Sequence, residues 1–346
     1  MGELAWSRFP AVAESHTGRA WLTIQANLGL AENTLQAYGR SLQEYFQFCA
    51  QHVIGPESAT REHVSMFVRL LLDRRGRLPK GATDGDDRPH LANATVQLRL
   101  TAVRLFYDYL IEEGLRQSNP VGRGRYTPGK AFGGERGLLA RYRRLPWIPN
   151  EDEWTEILKA ACQEPIRNRV MLALSYDGAL RREELCSLET RDIDPAHRLL
   201  HIRAETTKNR QDRTVPYSVA SSTLYAAYLV HRRQLTRDRG PVFLSESRRN
   251  FARPVSVWTW SKVVAGLAER SGVRRFKTHT PRHLCLTDLA RTGWDVHEIA
   301  AFAGHRCIQS TLSYIHLSGR ELAKKLERGM AEIHAWRVRM LAEMLK

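Results

Sequence analysis

The sequence predicts a mainly α-helical protein of two domains, with a small antiparallel β-sheet in the second domain. Apolar residues recur at three- and four-residue steps in most segments, which is the period of a helix with one buried face. A glycine-rich, basic stretch at 121–146 interrupts this pattern and predicts an interdomain linker. Two β-like segments, RLLHIRA and RTVPY, flank the polar turn ETTKNRQD and predict a hairpin. A chain of 346 residues also exceeds the usual size of one domain.

Three amphipathic helices are predicted in the first 120 residues. The first is AENTLQAYGRSLQEYFQFCAQH, for which Asn33 or Thr34 is the expected cap. REHVSMFVRLLLDRR follows, and NATVQLRLTAVRLFYDYLIEEG is the third, ending at Gly114. Between the last two lies the Gly/Pro/Asp-rich loop RGRLPKGATDGDDRPH. The first 120 residues therefore predict a small helical bundle.

Helical periodicity returns after Pro149. The expected helices cover residues 151–163 and 166–177, a segment from about 181, and residues 218–236, 256–270, 281–292, 295–303 and 308–317. The end of the chain repeats apolar residues at helical spacing: Leu322, Leu326, Met330, Ile333, Trp336, Met340 and Met344. Such a helix packs on its own domain or docks on a neighbouring subunit.

The charge balance points to a polyanionic partner. The chain has 53 Lys and Arg against 37 Asp and Glu, a net charge of +16. DNA, RNA and an anionic membrane surface all fit this charge, and a codon bias toward arginine is the alternative explanation. In the linker, the basic residues form either a solvated tether or a strap along a DNA backbone. They are Arg123, Arg125, Lys130, Arg141, Arg143 and Arg144.

The five cysteines form no CxxC pair, which argues for a reduced intracellular protein without a disulfide framework or a zinc ribbon. No apolar run approaches the roughly 20 residues of a membrane span, and the N-terminus lacks the apolar core of a signal peptide. We therefore expect a soluble, cytoplasmic protein with no membrane partner.

Two features in the second half have ordinary explanations when taken alone. Arg181 and Glu184 lie three residues apart, on one face of a helix or of its first turn, and such a pair is usually a surface ion pair of little energetic value. Lys208 lies at the tip of the predicted hairpin, where a lysine is ordinarily solvated.

The segment THTPRH predicts an anion site. Thr280 is the expected N-cap and Pro281 the first helical residue, which places Arg282 in the first turn with His279 just before it. Helix N-termini hold phosphate well, because free backbone amides and the helix dipole point at the ligand. A metal site made of His279, His283 and His305 is the alternative, although HTPRH lacks the glutamate of the zinc-protease motif.

Together these residues fit the chemistry of a phosphodiester. Guanidinium groups of Arg181 and Arg282 can stabilise the negative charge that builds on the phosphate, and a lysine such as Lys208 can protonate a leaving oxygen. Tyr314, in GHRCIQSTLSYIH, can form a covalent phosphodiester if its neighbours help to remove its proton. No metal and no cofactor are expected.

These motifs resemble the tyrosine recombinases, the group of phage integrases and Xer-type resolvases. GALRREEL is similar to the first arginine box, and TTKNRQDRTVP to the β-hairpin that carries the catalytic lysine, with Lys208 eight residues before Pro216. HTPRH is similar to the second arginine box and AGHRCIQSTLSYIH to the closing box. His305 follows Arg282 by 23 residues and Tyr314 follows His305 by nine. Resemblance extends from about residue 20 to 320.

The resemblance implies the tyrosine recombinase fold and its domains. These are a helical core-binding domain at 1–122, the linker at 123–148, a catalytic domain at 149–320 and a C-terminal helix at 321–346. The short stretch before residue 20 leads us to expect no further arm-binding domain. The linker is longer and more basic than in Xer-type members, which favours a mobile-element enzyme.

The resemblance also implies a mechanism. Tyr314 attacks a scissile phosphate to give a 3′-phosphotyrosine, Arg181 and Arg282 clamp the phosphate, and Lys208 is the general acid. His279 and His305 bind the phosphate or move the nucleophile's proton, and Glu184 orients the site. The expected partners are double-stranded recombination sites and three further copies of the chain in a homo-tetramer on paired DNA. Four alternative functions remain. They are a resolvase of chromosome or plasmid dimers, a type IB topoisomerase, a DNA-binding protein without catalysis, and a metal-dependent nuclease.

Overall fold

A computed structural model describes residues 4–74, 91–121, 145–207, 209–312 and 314, together with 326–329, 335, 337 and 339. The chain divides into two compact units, Met1–Arg143 and Arg144–Lys346. The predicted fold class is confirmed, because the described residues are mainly helical with a small antiparallel sheet in the second unit. Within these ranges, no helix combines the length and the apolar character needed to cross a membrane.

The first unit is a helical bundle. Its helices are α1 (Pro10–Glu14), α2 (His16–Asn27), α3 (Glu32–Gln51), α4 (Arg61–Asp73) and α5 (Asn93–Glu112). The sequence pattern predicted α3, α4 and α5 but neither α1 nor α2. The proposed cap of α3 at Asn33 or Thr34 is wrong, because the helix begins at Glu32 and Ala31 precedes it.

Aromatic side chains fill the core of the first unit, with Trp21, Tyr45, Phe67, Phe106 and Tyr107 almost completely buried. Tyr107 donates a hydrogen bond to the carbonyl oxygen of Pro56 at 2.6 Å. Its hydroxyl therefore accepts from Tyr45, 2.7 Å away, and both buried hydroxyls are satisfied.

The second unit contains eight described helices and three strands. They are α6 (Glu151–Cys162), α7 (Ile166–Asp177), α8 (Arg182–Cys186), β1 (Ile193–Asp194), β2 (Leu199–Ile202), β3 (Arg213–Pro216), α9 (Val219–Leu235), α10 (Val257–Arg270), α11 (Thr280–Arg291), α12 (Val296–Ala303) and α13 (Ile308–Leu312). Each helix predicted between residues 151 and 312 is present, and of the helix expected at 308–317 the structure describes Ile308–Leu312 as helical.

The sheet has the order β1-β2-β3 and both pairings are antiparallel. Leu200 of β2 lies opposite Ile193 on one side and Val215 on the other, so all three apolar side chains share one face. Leu200 and Val215 are fully buried. The predicted hairpin is β2–β3, and β1 is an addition to it.

The second unit has a small apolar cluster apart from its larger core, and this cluster includes the catalytic candidate Tyr314. Its members are Ala179, Cys285, Leu286, Ile299, Ala303 and Tyr314. They come from α11, α12, the turn before α8 and the residues after α13. The larger core of the second unit includes Trp260, Phe243 and Tyr228.

The start of α11 differs from the expectation. Thr280 is the first residue of the helix and not its N-cap, a position that His279 occupies. The Thr280 hydroxyl instead accepts a hydrogen bond from the backbone amide of Lys277 at 2.9 Å. Thr280 therefore closes the turn that leads into the helix.

Candidate active site

A buried carboxylate ties two arginines together at the start of α8. The backbone amide and Nη1 of Arg181 donate to Oε2 and Oε1 of Glu184 at 2.9 and 2.7 Å. Arg213, on β3, donates to Oε2 from Nη2 at 2.7 Å and to Oε1 from Nη1 at 3.2 Å. The Glu184 side chain has no exposed surface. The ordinary explanation of Arg181 and Glu184 as a surface ion pair is therefore wrong.

The two arginines keep Glu184 ionised. Burial alone raises the pKa of this carboxyl group, because it removes the charged form from water. The hydrogen bonds and charge of Arg213, followed by those of Arg181, outweigh burial and lower the pKa to about 2. At neutral pH the carboxylate therefore holds both guanidinium groups in place.

Three consecutive carbonyl groups at the C-terminus of α12 each accept a hydrogen bond from an arginine. The pairs are Arg213–Phe302, Arg282–Ala303 and Arg181–Gly304, at 3.0, 2.7 and 3.3 Å. The last carbonyls of a helix lack partners within it and form the negative end of its dipole. Gly304 ends the helix with a φ of 61°, a left-handed conformation that glycine adopts without strain. The C-terminus of α12 is therefore the common support of all three arginines.

Arg282 is the most deeply buried of the three, with 3% of its surface exposed. Besides Ala303, it donates to the carbonyl oxygen of Ala179 and to Nε2 of His305. Ala179 has a φ of 45°, which is unfavourable for a residue with a side chain and points its carbonyl toward the arginine. Burial, and then the charge of Arg181, lowers the pKa of Arg282 to about 10, so the group is still charged at neutral pH.

The hydrogen bonds of His305 fix its tautomer. Nε2 lies 2.9 Å from Nη2 of Arg282, which can only donate, so Nε2 accepts. Nδ1 lies 2.9 Å from Oγ1 of the fully buried Thr311 and carries the proton. Burial, and then the charges of Arg282 and Arg181, lowers the pKa of His305 to about 4. His305 is therefore neutral at pH 7 and holds Arg282 by accepting its hydrogen bond.

Tyr314 contacts two histidine rings and is 8% exposed. The His305 ring stacks on the phenol with ring centroids 5.9 Å apart. The His283 ring also contacts the phenol, with centroids 5.5 Å apart. Oη of Tyr314 is 2.9 Å from Nδ1 of His283. Burial raises the pKa of the phenol, while the charges of Arg282 and Arg181 act in the opposite direction. The hydroxyl is therefore protonated at neutral pH and needs a proton acceptor to become a nucleophile.

His279 lies at the edge of this group. Its ring centroid is 6.2 Å from that of His283, one helical turn later. Burial lowers the pKa of His279, with the negative charge of Glu183 acting against it. Asn209, the neighbour of Lys208 in the chain, donates to the carbonyl oxygen of Gly304 at 3.0 Å, the same oxygen that Arg181 approaches.

The structure brings most of the predicted site residues together. Hydrogen bonds and ring contacts join six of them into one cluster, and Arg213, His283 and the end of α12 complete the connections. The six are Arg181, Glu184, His279, Arg282, His305 and Tyr314. Lys208 lies outside the described part of the chain. So do the basic linker residues Arg123, Arg125, Lys130, Arg141, Arg143 and Arg144. Of the predicted C-terminal apolar stripe, only Leu326 is described, and it is exposed.

Sequence analysis missed Arg213 and Thr311 and gave His283 no role beside the nucleophile. Arg213 carried one usable signal, because it is two residues from Val215 and alternation in a strand places both on the same, buried face. The alternative of a metal site at His279, His283 and His305 is not supported by the residues that the structure describes. They contain no group of three His, Cys, Asp or Glu side chains that could hold a metal ion.

Family comparisons agree with the two-unit architecture. The sequence profile of the Phage integrase family matches residues 149–321, and that of the phage integrase N-terminal SAM-like domain matches residues 21–114. Transposase A from transposon Tn554 of Staphylococcus aureus is 27% identical over 322 residues, covering 87% of each chain. Tyrosine recombinase XerC of Herpetosiphon aurantiacus is 26% identical over 309 residues, covering 88% of this chain and 90% of its own.

Solved structures share the fold at lower identity. The Tn1549 transposon integrase in complex with a circular intermediate DNA has a TM-score of 0.67 at 14% identity, covering 90% of this chain and 98% of its own. A lambda integrase dimer bound to a core site has a TM-score of 0.64 at 18% identity, covering 88% and 95%. The resemblance stated from the motifs is confirmed: the chain belongs to the phage integrase family, the tyrosine recombinases, enzymes that break and rejoin DNA.

Proposed function

We propose that this recombinase cuts and rejoins DNA with Tyr314 as nucleophile and serves the movement of a mobile element. The observation that carries the catalytic assignment is the position of Tyr314. Its hydroxyl is hydrogen-bonded to His283, and its ring stacks on His305, which accepts a hydrogen bond from the buried Arg282. Similarity to Transposase A from transposon Tn554 over 87% of both chains supports the biological role.

The proposed reaction is a transesterification in which one phosphodiester bond is exchanged for another. The bond between Tyr314 Oη and phosphorus forms while the bond between phosphorus and the 5′ oxygen breaks, which leaves a 3′-phosphotyrosine and a 5′-hydroxyl. The hydroxyl of a partner strand reverses the step, so the energy of the phosphodiester is conserved and neither ATP nor a metal ion is needed. Arg181 and Arg282 bind the non-bridging oxygens, and each such donor contributes about 2–4 kcal/mol to the transition state.

The remaining residues take supporting roles. Glu184 positions Arg181, and His305 positions Arg282. We assign His279 to the phosphate and Lys208 to protonation of the leaving 5′ oxygen. Support for Lys208 comes from the motif and from Asn209, which contacts the carbonyl oxygen of Gly304 beside Arg181. The basic residues of the linker follow the DNA backbone in this proposal, and the enzyme acts in the cytoplasm.

A homo-tetramer on two paired recombination sites is part of the proposal, with residues 321–346 docking on a neighbouring subunit. Deleting these residues should leave cleavage of a single site by one protomer and abolish assembly on paired sites. Light scattering of the DNA complexes distinguishes four copies from one or two. A tetramer that forms equally well without residues 321–346 contradicts the assignment of the docking segment.

The catalytic proposal is tested with supercoiled DNA carrying candidate element ends, in buffer with EDTA. The wild type should form a protein–DNA adduct that resists SDS, and Tyr314→Phe should form none while binding the same DNA. An adduct with Tyr314→Phe contradicts the choice of nucleophile. Cleavage that requires added metal and leaves no adduct contradicts the mechanism, and relaxation of supercoils without joining of two sites supports the topoisomerase reading.

The second candidate role is resolution of chromosome or plasmid dimers. Similarity to tyrosine recombinase XerC of Herpetosiphon aurantiacus, over nearly the same share of the chain, favours it. The two roles differ in substrate. A mobile-element enzyme joins element ends to each other or to a target, whereas a resolvase converts a dimer with two copies of one chromosomal site into monomers. Sequencing the DNA held in the adduct separates them.

A further inference from the structure

His283 is the side chain whose contact with the nucleophile has no place in the roles given so far. It follows Arg282 in α11, and its backbone amide donates to the carbonyl oxygen of His279 at 3.0 Å, which fixes the residue in the first turns of the helix. From there its Nδ1 reaches to 2.9 Å from Oη of Tyr314. The ring planes of the two side chains are 31° apart.

The direction of this hydrogen bond follows from the chemistry of its partners. A phenol with a raised pKa keeps its proton at neutral pH and donates it. Nδ1 of His283 is therefore the acceptor, and the imidazole carries its own proton on Nε2. The lone pair of Nδ1 already points at the proton that must leave when Tyr314 attacks a phosphate.

His305, the other ring against Tyr314, has no lone pair for this proton. Its Nε2 accepts from Arg282 and its Nδ1–H donates to Thr311, so both nitrogens are engaged. Stacking at 5.9 Å also places this ring over the face of the phenol and not at its hydroxyl. Among the described residues, His283 is the one whose basic nitrogen is hydrogen-bonded to the nucleophilic oxygen.

We propose that His283 is a catalytic residue that accepts the proton of Tyr314 as the covalent bond to DNA forms. This inference rests on the proposed function, in which Tyr314 is the nucleophile. The Oη–H bond breaks and an Nδ1–H bond forms while oxygen bonds to phosphorus. In the reverse step a 5′-hydroxyl attacks the phosphotyrosine and gives its proton to Lys208, while the bond between phosphorus and Oη breaks and the proton returns from Nδ1 to Oη, which releases the enzyme.

The surroundings of His283 keep its imidazole neutral, which a proton acceptor requires. The titratable or charged groups near it are His279 and Arg282 from its own segment and Tyr314 from the residues after α13. Burial, and then the interactions with His279 and with the charged Arg282, lowers its pKa to about 4, so His283 is neutral at neutral pH and Nδ1 has its lone pair. A phosphate bound by Arg181 and Arg282 brings a negative charge that favours the imidazolium once the proton has moved.

The test separates proton acceptance from positioning with His283→Asn. The Oδ1 atom of asparagine replaces Nδ1 as a hydrogen-bond acceptor but is not basic. We expect the single-turnover rate of adduct formation at pH 7 to fall about 100-fold, the lower end of what a general base supplies. The rate of the variant should then rise about tenfold per pH unit, because hydroxide must remove the proton. The exposed His297→Asn on α12 is the matched control and should react as the wild type does.

Site-specific replacement of Tyr314 by 3-fluorotyrosine, a more acidic phenol, gives an independent readout. It should raise the rate of His283→Asn much more than that of the wild type, because less base is needed. An Asn variant within about threefold of the wild-type rate at pH 7, or one whose defect fluorotyrosine leaves unchanged, overturns the role of His283. Absence of an adduct with the wild type, or an adduct with Tyr314→Phe, overturns the proposed function itself and is a different result.

Discussion

The carboxylate of Glu184 and the guanidinium of Arg213 meet through two hydrogen bonds, although 29 residues separate them in the chain. One residue belongs to the short helix of the first arginine box and the other to the last strand of the hairpin. Arg213 also donates to Phe302 at the end of α12. This single side chain therefore joins three elements on which the candidate active site depends.

Arg213→Ala should destabilise the protein and reduce cleavage together. Glu184 keeps Arg181 but loses two charged hydrogen bonds in a buried place, so we expect a loss of about 2 kcal/mol in the free energy of unfolding. Urea unfolding followed by tryptophan fluorescence measures this loss, and single-turnover adduct formation should slow at least tenfold. Arg233→Ala, an exposed arginine on α9, should stay within about 0.5 kcal/mol of the wild type. Equal effects of the two substitutions contradict the buried role of Arg213.

Glu184→Gln should remove a pH-dependent contribution to stability. A carboxyl whose pKa falls from 4.5 in the unfolded chain to about 2 in the fold contributes about 3 kcal/mol at neutral pH. Because the folded pKa is the lower one, this contribution is complete above pH 4.5 and is lost as the pH falls toward 2. The stability difference between the wild type and the Gln variant should shrink by roughly half between pH 7 and pH 3. A difference that is constant with pH contradicts the ionised, arginine-bound state of Glu184.

Gly304→Ala should disturb the arginines beyond its effect on the backbone. An added Cβ lies 3.0 Å from Nη1 of Arg213, and the φ of 61° adds a cost of about 1–2 kcal/mol. Gly272 is the matched control, because its φ is 71° and no atom lies within 4 Å of an added Cβ. Both variants should lose stability in thermal unfolding, but only Gly304→Ala should slow adduct formation. Identical reaction rates for the two variants refute a role for Gly304 in holding Arg213.

Thr311→Val should act through the tautomer of His305. Valine fills the buried space of threonine but cannot accept a hydrogen bond from Nδ1–H of His305. Loss of this hydrogen bond should slow adduct formation about tenfold. Thr311→Ser keeps the hydroxyl and should restore most of the rate. Nitrogen NMR of the imidazole reports the tautomer directly. A valine variant with the wild-type tautomer and rate shows that Thr311 only fills space.

The predictable part of the fold is the part with strong periodicity. Helices α3 to α13 repeat apolar residues or carry caps, and the β2–β3 hairpin alternates around a polar turn. The short α1 lacks a clear pattern, and α2 contains Gly18, which lowers a helix prediction. An added Cβ at Gly18 meets Phe46 at 2.7 Å, so tertiary packing requires this glycine. With only two residues, β1 is too short to show alternation.

The predictable part of the site is the set of residues carried by local motifs. Arg181, Arg282, His305 and Tyr314 stand in recognisable boxes at regular separations. Arg213 could not be assigned in this way, because its partner Glu184 is 29 residues away in the chain and a sequence pattern shows no such pairing. Thr311 lies only six residues from its partner His305, but nothing in the motif shows that its hydroxyl contacts the imidazole. His283 entered the sequence analysis only as a ligand of the alternative metal site, on its spacing from His279. Its contact with Tyr314, 31 residues away in the chain, is visible only in the structure.

The central claim is that Tyr314 becomes covalently attached to the 3′ end of cut DNA. The most direct test traps the adduct on a nicked substrate that cannot religate, digests the protein and DNA, and identifies the modified peptide by mass spectrometry. We predict that a nucleotide 3′-phosphate is attached to Tyr314 and to no other residue. Attachment to a different tyrosine, or linkage through a 5′-phosphate, would contradict the account.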